Sequence, residues 1–446
     1  MKIAKQIKIV LGYDCPHKCS YCYQVKPAAA TSSVKTPVKD RLKSSPEKVE
    51  QIVAVCAENG ATDLSFTGGE PLRYRDLLYA GIQVAYQWNC FASINTNLIG
   101  LREDDLLRFK EAEIVGLFTS MPNFVKEKYN AITGTNNYDK FLTALTLCRQ
   151  HNLNTSINMV VSKLNWQDVY DTGRRLHEEF GIINFSASPI YATSRNHLEY
   201  MLTAEEIETV FDMLMQLRDQ HRMHVTTLRS MVPCFSSTPE KYTQFTRGCG
   251  IVRTELTVLS DGTVRACDAI TSSFGNALKE PLVDIVARMD DFLPYGSGQL
   301  YKVAPDGCHS CAELIRCRGG CRSEANAING SLSSPNPYYT KPLQNKIFPD
   351  YVDLPDYSVG KIRLNIADDI LDDIHAANTP VVRTELTSEE RSLLALLSTE
   401  SDERNIVDPN KFRIKHRLAN DLFSAFLEKM SRKHLIEKAD DVGAWN

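Results

Sequence analysis

Short β-branched and apolar runs alternate with amphipathic helical segments from Ile7 to Ala187, and no other feature restricts the fold as much. Ile7–Leu11, Leu64–Phe66, Phe91–Ile94, Val115–Thr119, Ser156–Val161 and Asn184–Ala187 have strand character. Helical spacing of apolar residues begins at Pro46 and recurs around Asp76–Tyr86, Glu103–Phe109, Tyr138–Cys148 and Trp166–Leu176. The first helix is marked at both ends: Ser45 suits an N-cap, Pro46 the first helical position, Glu47 and Glu50 the positive end of the dipole, and Gly60 a stop. Such alternation builds right-handed βαβ units around a parallel sheet. The six strand candidates predict an α/β fold, a partial (β/α)6 TIM-like barrel short of full closure. Function in such sheets gathers at the C-terminal ends of the strands.

The first strand runs directly into Cys15-Pro16-His17-Lys18-Cys19-Ser20-Tyr21-Cys22. Thiolates are the ligands of iron–sulfur clusters, and a cubane has four irons to cap. Three thiols on one loop therefore leave an iron open, and an open metal position is where chemistry occurs. A zinc site is the alternative, but zinc prefers paired Cys-x-x-Cys or Cys/His spacings and four ligands. The second strand ends in Gly68-Gly69-Glu70-Pro71. Two glycines let the backbone approach a ligand closely, and a carboxylate accepts hydrogen bonds from an ammonium group. Alone, that tetrapeptide reads as a turn.

Thirteen cysteines occur in 446 residues. Cys56 and Cys148 lie on apolar helix stripes and Cys90 enters a strand, so all three are expected in the core. Seven crowd the stretch from Cys234 to Cys321, which in a reducing compartment points to metal or cluster ligands rather than disulfides. Helical sequence from Glu205 to Leu217, opened by a Thr203/Glu206 capping box, precedes them. Glu255–Val258, Ser260-Asp261-Gly262 and Thr263–Arg265 read as a β-hairpin with cysteines on both flanks. The net charge of −4 gives no support to a nucleic-acid binder. No membrane-length apolar run and no signal-like start are present, so a cytoplasmic protein is expected.

CxxxCxxC with an aromatic before its last cysteine, followed one βα unit later by GGEP after a strand, resembles the radical S-adenosylmethionine (radical SAM) family. The resemblance implies a 4Fe–4S cluster on Cys15, Cys19 and Cys22 with S-adenosylmethionine at the open iron. It implies that Gly68, Gly69, Glu70 and Pro71 hold the methionyl amino group. Ser120, ending one strand near the ribose, and Asn158, in a later strand, match polar positions facing the cofactor. The turn Asn95-Thr96-Asn97 resembles the family's TNG-like turn but is no stronger than ordinary strand-end capping, and it is left out of the site. The cysteine-rich middle resembles the SPASM extension of that family. Cys249, Gly262 and Cys267, then Cys308-x2-Cys311-x5-Cys317-x3-Cys321, match its first two parts completely. That implies two auxiliary clusters: Cys249, Cys267 and Cys321 for the first, with Cys234 as fourth ligand, and Cys308, Cys311 and Cys317 for the second. The family's closing cysteine is missing, for Asn336-Pro337-Tyr338-Tyr339 stands where a D-P-x-C-like segment would be. The second cluster is accordingly expected with an incomplete cysteine shell, and a zinc ribbon is the alternative for this region.

The Ser-, Pro-, Asn- and Tyr-rich stretch 331–357 reads as a linker. Beyond it, a strand at Lys361–Ile366 and helices from Leu386 and around Leu418–Met430 look like a small winged-helix module. The module resembles a peptide-gripping element that uses strand addition at a sheet edge. Lys411, Arg413, Lys415, Arg417, Lys429, Arg432 and Lys433 suit an acidic peptide or a solvated face. The expected domains are 1–225 (barrel), 226–345 (SPASM-type) and 346–446 (winged-helix-like). By resemblance, a reduced cluster cleaves S-adenosylmethionine to a 5′-deoxyadenosyl radical that abstracts hydrogen from a ribosomally made precursor peptide, crosslinking it. Flavodoxin or ferredoxin is the implied electron donor. The alternatives are maturation of a protein side chain, as in sulfatase-activating enzymes, and an iron–sulfur DNA-binding regulator.

Overall fold

Seven parallel strands follow one another in chain order: β1 (Gln6–Val10), β2 (Asp63–Thr67), β3 (Phe91–Asn95), β4 (Gly116–Ser120), β5 (Thr155–Val161), β6 (Asn184–Pro189) and β7 (His224–Thr226). Helices α1 (Pro46–Glu58), α2 (Arg75–Gln87), α3 (Glu103–Glu111), α4 (Lys126–Thr133), α5 (Tyr138–Gln150), α6 (Val169–Phe180) and α7 (Ala204–His221) connect them. This computed structural model forms two units, Met1–Pro349 and Asp350–Asn446. It describes residues 6–24, 44–251, 255–292, 307–345 and 347 of the first, and 362–364, 397, 406–407, 426–427, 430 and 436–438 of the second. Among the described residues no helix is long and apolar enough to cross a membrane.

Local signals act where the sequence places them. The Ser45 hydroxyl accepts from the Lys48 N–H, and the Thr203/Glu206 capping box is complete on α7. Cys56 and Cys148 are fully buried on their helix stripes. Cys90 is only half-buried, its thiol directed at the Ala61 carbonyl at 3.4 Å, because it precedes β3 instead of lying within it. The seventh strand, β7, adds one unit to the six expected. His224-Val225-Thr226 carries a single apolar residue and is recruited by pairing with β6, not by its own pattern.

Parallel strands covered on both faces usually read as continuous apolar runs. Here they alternate. Ile7, Ile9, Leu64, Phe66, Ile94, Leu117, Ile157, Met159 and Phe185 are buried in a core shared with the helices. The intervening positions are polar and line up across the sheet: Lys8 beside Ser65 and Thr257, Ser65 beside Ser93, Ser120 beside Asn158, and Asn158 beside Ser186. Because side chains in a strand alternate faces, register alone makes one face apolar and the other polar.

The cysteine-rich middle joins the same sheet. β8 (Glu255–Leu259) pairs parallel to β1, and β9 (Thr263–Arg265) and β10 (Gly275–Asn276) extend it antiparallel, giving ten strands in the order β10-β9-β8-β1-β2-β3-β4-β5-β6-β7. Gly262, at φ 90°, allows the tight β8–β9 turn. A buried ion pair ties this extension to the end of β6. Arg229 meets Glu324 on the helix Arg322–Asn329, with side chains 0% and 1% exposed. Glu324 also accepts from the Ala192 N–H at 3.1 Å and the Asn336 amide at 3.2 Å, while Arg229 lies over the Tyr338 ring at 4.8 Å.

In the second unit, β11 (Ile362–Leu364) is the middle strand of a three-stranded antiparallel sheet between β12 (Ile406–Val407) and β13 (Ile436–Lys438). Leu397, Phe426, Leu427 and Met430 are helical and buried. The rest of the two anticipated helices, and all seven basic residues singled out there, lie outside the described residues.

Removing one partner of a buried pair strands the other charge. Glu324→Ala is expected to cost about 3–5 kcal/mol in denaturant unfolding, and converting both Arg229 and Glu324 to apolar residues should recover most of that. A loss below about 1 kcal/mol for Glu324→Ala would show that the pair does not anchor the extension.

Candidate active site

The β1–β2 ladder continues past the strand ends into the two motifs. Leu11 N–H donates to the Thr67 carbonyl at 2.9 Å, Gly69 N–H to Gly12 at 2.8 Å and Glu70 N–H to Asp14 at 2.9 Å. The backbone that the two glycines approach is that of the cysteine loop itself. A Cβ on Gly68, at φ 138°, would lie 2.3 Å from the Gly12 oxygen, and one on Gly69 would lie 2.4 Å from the Asp14 oxygen. On its other flank the loop caps α4. Lys18 N–H donates to the Thr133 carbonyl at 2.8 Å and Ser20 N–H to Ile132 at 3.0 Å, satisfying last-turn carbonyls that have no partner within the helix. Nothing in the sequence around Lys126–Thr133 marks α4 strongly, and it was not foreseen.

Glu70 is fully buried between the two motifs. Its carboxylate accepts from Leu72 N–H at 3.0 Å, the Thr96 hydroxyl at 2.6 Å and Asn97 N–H at 2.6 Å. Burial pushes its pKa from an ordinary 4.5 up to about 7, against the pull of those three donors. The carboxylate thus fastens the β2 end to the turn after β3. That turn carries a residue the sequence reading passed over: the Asn97 amide lies 3.4 Å from the Cys15 sulfur. The TNG-like pattern was its only signal.

Burial is the leading effect on the loop thiols, raising Cys15 to about 11 and Cys19 to about 12. Thiols this reluctant to ionise become good ligands once a metal supplies positive charge and displaces their protons. His17 does not compete as a ligand-side base: burial lowers its pKa to about 4, and its ring packs edge-on against Tyr129 at 6.3 Å. Among the described residues no three His, Cys, Asp or Glu side chains are gathered to hold a single metal ion. The donor set, three partly accessible thiols on one supported loop, fits a cluster with one iron left open.

Ser120 and Asn158 stand side by side on the polar face. Asn158 Oδ1 accepts from the Ser186 and Ser188 hydroxyls at 2.9 and 2.8 Å, leaving its NH2 as the half it can offer a ligand. The loop also reaches the extension. The Tyr23 hydroxyl donates to Asp268 at 3.3 Å, next to Cys267, and Lys8 pairs with Glu255 at 3.2 Å and Asp268 at 3.8 Å. Burial opposes the Lys8 charge, but Asp268 and Glu255 outweigh it and keep the ammonium well above the usual lysine range.

The extension's cysteines fall into two groups. Cys249 and Cys321 both act electrostatically on Cys267, whose thiol burial and these neighbours push up. Cys308, Cys311 and Cys317 line one small cavity, and Cys234 lines it with them. Cys234 is therefore beside the second set rather than the first, for which the family resemblance made it the candidate fourth ligand.

Glu70→Gln points an amide NH2 at a backbone donor, so a loss of about 1–3 kcal/mol in unfolding free energy is expected. The pH dependence supplies a second check. With a folded-state pKa of about 7 above the ordinary 4.5, the Glu70 contribution is complete below pH 4.5 and is lost as pH rises through 7. Stability of the glutamine variant should lack that decline; an unchanged slope would place the titration elsewhere.

The sequence model of the Radical SAM superfamily matches residues 9–176. The fold is similar to Streptococcus suis SuiB bound to its precursor peptide SuiA, at 18% identity and TM-score 0.60, covering 78% of this chain and 76% of that one. It is also similar to native anSMEcpe with bound AdoMet, at 18% identity and TM-score 0.55, covering 75% and 94% of the two chains. The three-cysteine loop on the end of β1 and the GGEP segment laddered to it both lie within the matched residues 9–176.

Proposed function

We propose that this protein is a radical SAM enzyme that modifies a ribosomally synthesised precursor peptide at an unactivated C–H bond, a crosslink being the product the reading favours. The observation that carries it is the support of the Cys15–Cys22 loop: backbone of Gly68–Glu70 on one flank, the end of α4 on the other, and Asn97 at the Cys15 sulfur. When bound, a 4Fe–4S cluster and S-adenosylmethionine supply reductive cleavage of a sulfonium bond and a radical able to abstract hydrogen.

The chain's own residues hold and shield that chemistry. Cys15, Cys19 and Cys22 are the thiolate ligands. The Asn97 amide, by donating toward the Cys15 sulfur, orients it and tempers its charge. Because the Glu70 carboxylate is spent on Leu72, Thr96 and Asn97, recognition of the methionyl ammonium falls to backbone carbonyls of the Gly68–Pro71 segment. Ser120 and Asn158 offer hydrogen bonds from the polar sheet face. The β8–β10 extension and its cysteines would carry auxiliary clusters, joined to the loop through Tyr23 and Asp268.

SuiB was solved with a precursor peptide, which supports a peptide as substrate here. The three-stranded sheet of the second unit has edges to which a leader peptide could add a strand. A second reading, maturation of a side chain in a folded or nascent protein, draws on the likeness to anSMEcpe, also solved with a peptide. Electrons would come from a flavodoxin or ferredoxin.

Anaerobic coexpression with a short peptide encoded beside the gene tests the proposal by mass spectrometry. Loss of two hydrogens identifies a crosslink, and Cys15→Ala should abolish it together with all cleavage of S-adenosylmethionine. A peptide unchanged in mass and stereochemistry, with the cofactor still cleaved, would remove the peptide assignment and leave side-chain maturation.

A further inference from the structure

We infer that Cys234 is the fourth thiolate of the auxiliary site formed by Cys308, Cys311 and Cys317, so that this set is complete and the three-thiol set with an open position is Cys249, Cys267 and Cys321. The inference rests on the cluster reading of the extension given above.

Four cysteines converge on one cavity although the chain separates the first from the others. Val232-Pro233-Cys234 forms a strap on a short 3-10 turn and passes over the loop around Gly320. That crossing is close: a Cβ on Gly320 would sit 2.5 Å from a Val232 methyl. The strap is tied on its other side to the segment after Tyr339. The Thr340 hydroxyl donates to the Cys234 carbonyl. Cys308, Cys311 and Cys317 complete the lining, with Leu314 making the wall apolar.

Tyr339 is the competing candidate, because it occupies the sequence position where a closing cysteine would stand and lines the same cavity. A phenol is the weaker choice. Cluster irons take thiolates in preference to phenolates. The remaining cysteines offer no substitute, since Cys56, Cys90 and Cys148 lie on α1, before β3 and on α5.

Two cysteines that serve one cluster should not add in their effects on iron, whereas two that serve different clusters should. The full chain, reconstituted anaerobically with iron and sulfide, is compared as wild type, Cys234→Ser, Cys308→Ala, Cys321→Ala and the two doubles of Cys234→Ser with each alanine variant. Iron content and the Mössbauer spectrum are the readouts, with a melting curve on every variant. The expected outcome is that Cys308→Ala and Cys321→Ala each lose about four irons per chain. Cys234→Ser should add nothing to the first loss and should still perturb the spectrum in the second background. Tyr339→Phe should leave iron and spectrum unchanged. Additivity with Cys308→Ala but not with Cys321→Ala would return Cys234 to the first set and overturn the inference. A spectrum insensitive to Cys234→Ser, or sensitive to Tyr339→Phe, would overturn it as well. If neither alanine variant lost iron, the auxiliary-cluster reading itself would fail, and the inference with it; iron lost in both, with Cys234→Ser silent, would overturn this inference alone.

Discussion

The arrangement depends on three backbone hydrogen bonds that carry the β1–β2 ladder beyond the sheet, from Thr67 to Glu70 and from Leu11 to Asp14. They are possible only because Gly12, Gly68 and Gly69 have no side chains: a Cβ at any of the three would meet backbone or the Tyr74 ring at well under 3 Å. Two irregular segments are thereby positioned with the precision of paired strands. A loop held this way can present three thiols in fixed relation to one another without first binding metal, which lowers the ordering cost of assembling a cluster.

Charge is managed around that loop by satisfying polar groups locally. Glu70 is buried but surrounded by donors, Arg229 is buried but paired with Glu324, and Lys8 faces Glu255 and Asp268. Each of these residues joins two pieces of chain distant in sequence. Glu70 links the ends of β2 and β3, Lys8 and Tyr23 link β1 and the loop to the β8–β9 hairpin, and Arg229 links the β7 loop to the helix after Cys321. Buried polar groups of this kind are costly unless every partner is in place. Arg229, Lys8 and Tyr23 thereby tie the extension to the barrel, alongside the direct pairing of β8 with β1.

Much of this was legible residue by residue. Caps at Ser45 and Thr203, stripes that bury Cys56 and Cys148, and the Asp261-Gly262 turn are governed by neighbours a few positions away, so the sequence contains what decides them. Elements set by distant partners were not legible. β7 exists because β6 offers an unpaired edge, α4 is finished by N–H groups from the cysteine loop, and Asn97 gains its meaning from Glu70 and Cys15. The glycines of GGEP illustrate the difference well. Their need for close approach was visible, but the surface approached is the protein's own loop as well as any ligand.

The amino-acid sequence alone determined the α/β alternation, the three-thiol loop at the end of the first strand and the spacing of the later cysteines, because each is a matter of local period and order. Only the tertiary structure decided which thiols face one another. Cys234 is nearer Cys249 along the chain, yet the strap through Val232 and Pro233, pinned by Thr340, carries it to Cys308, Cys311 and Cys317. Proximity in space here follows from how the extension folds back over itself, and spacing along the chain holds no record of that crossing.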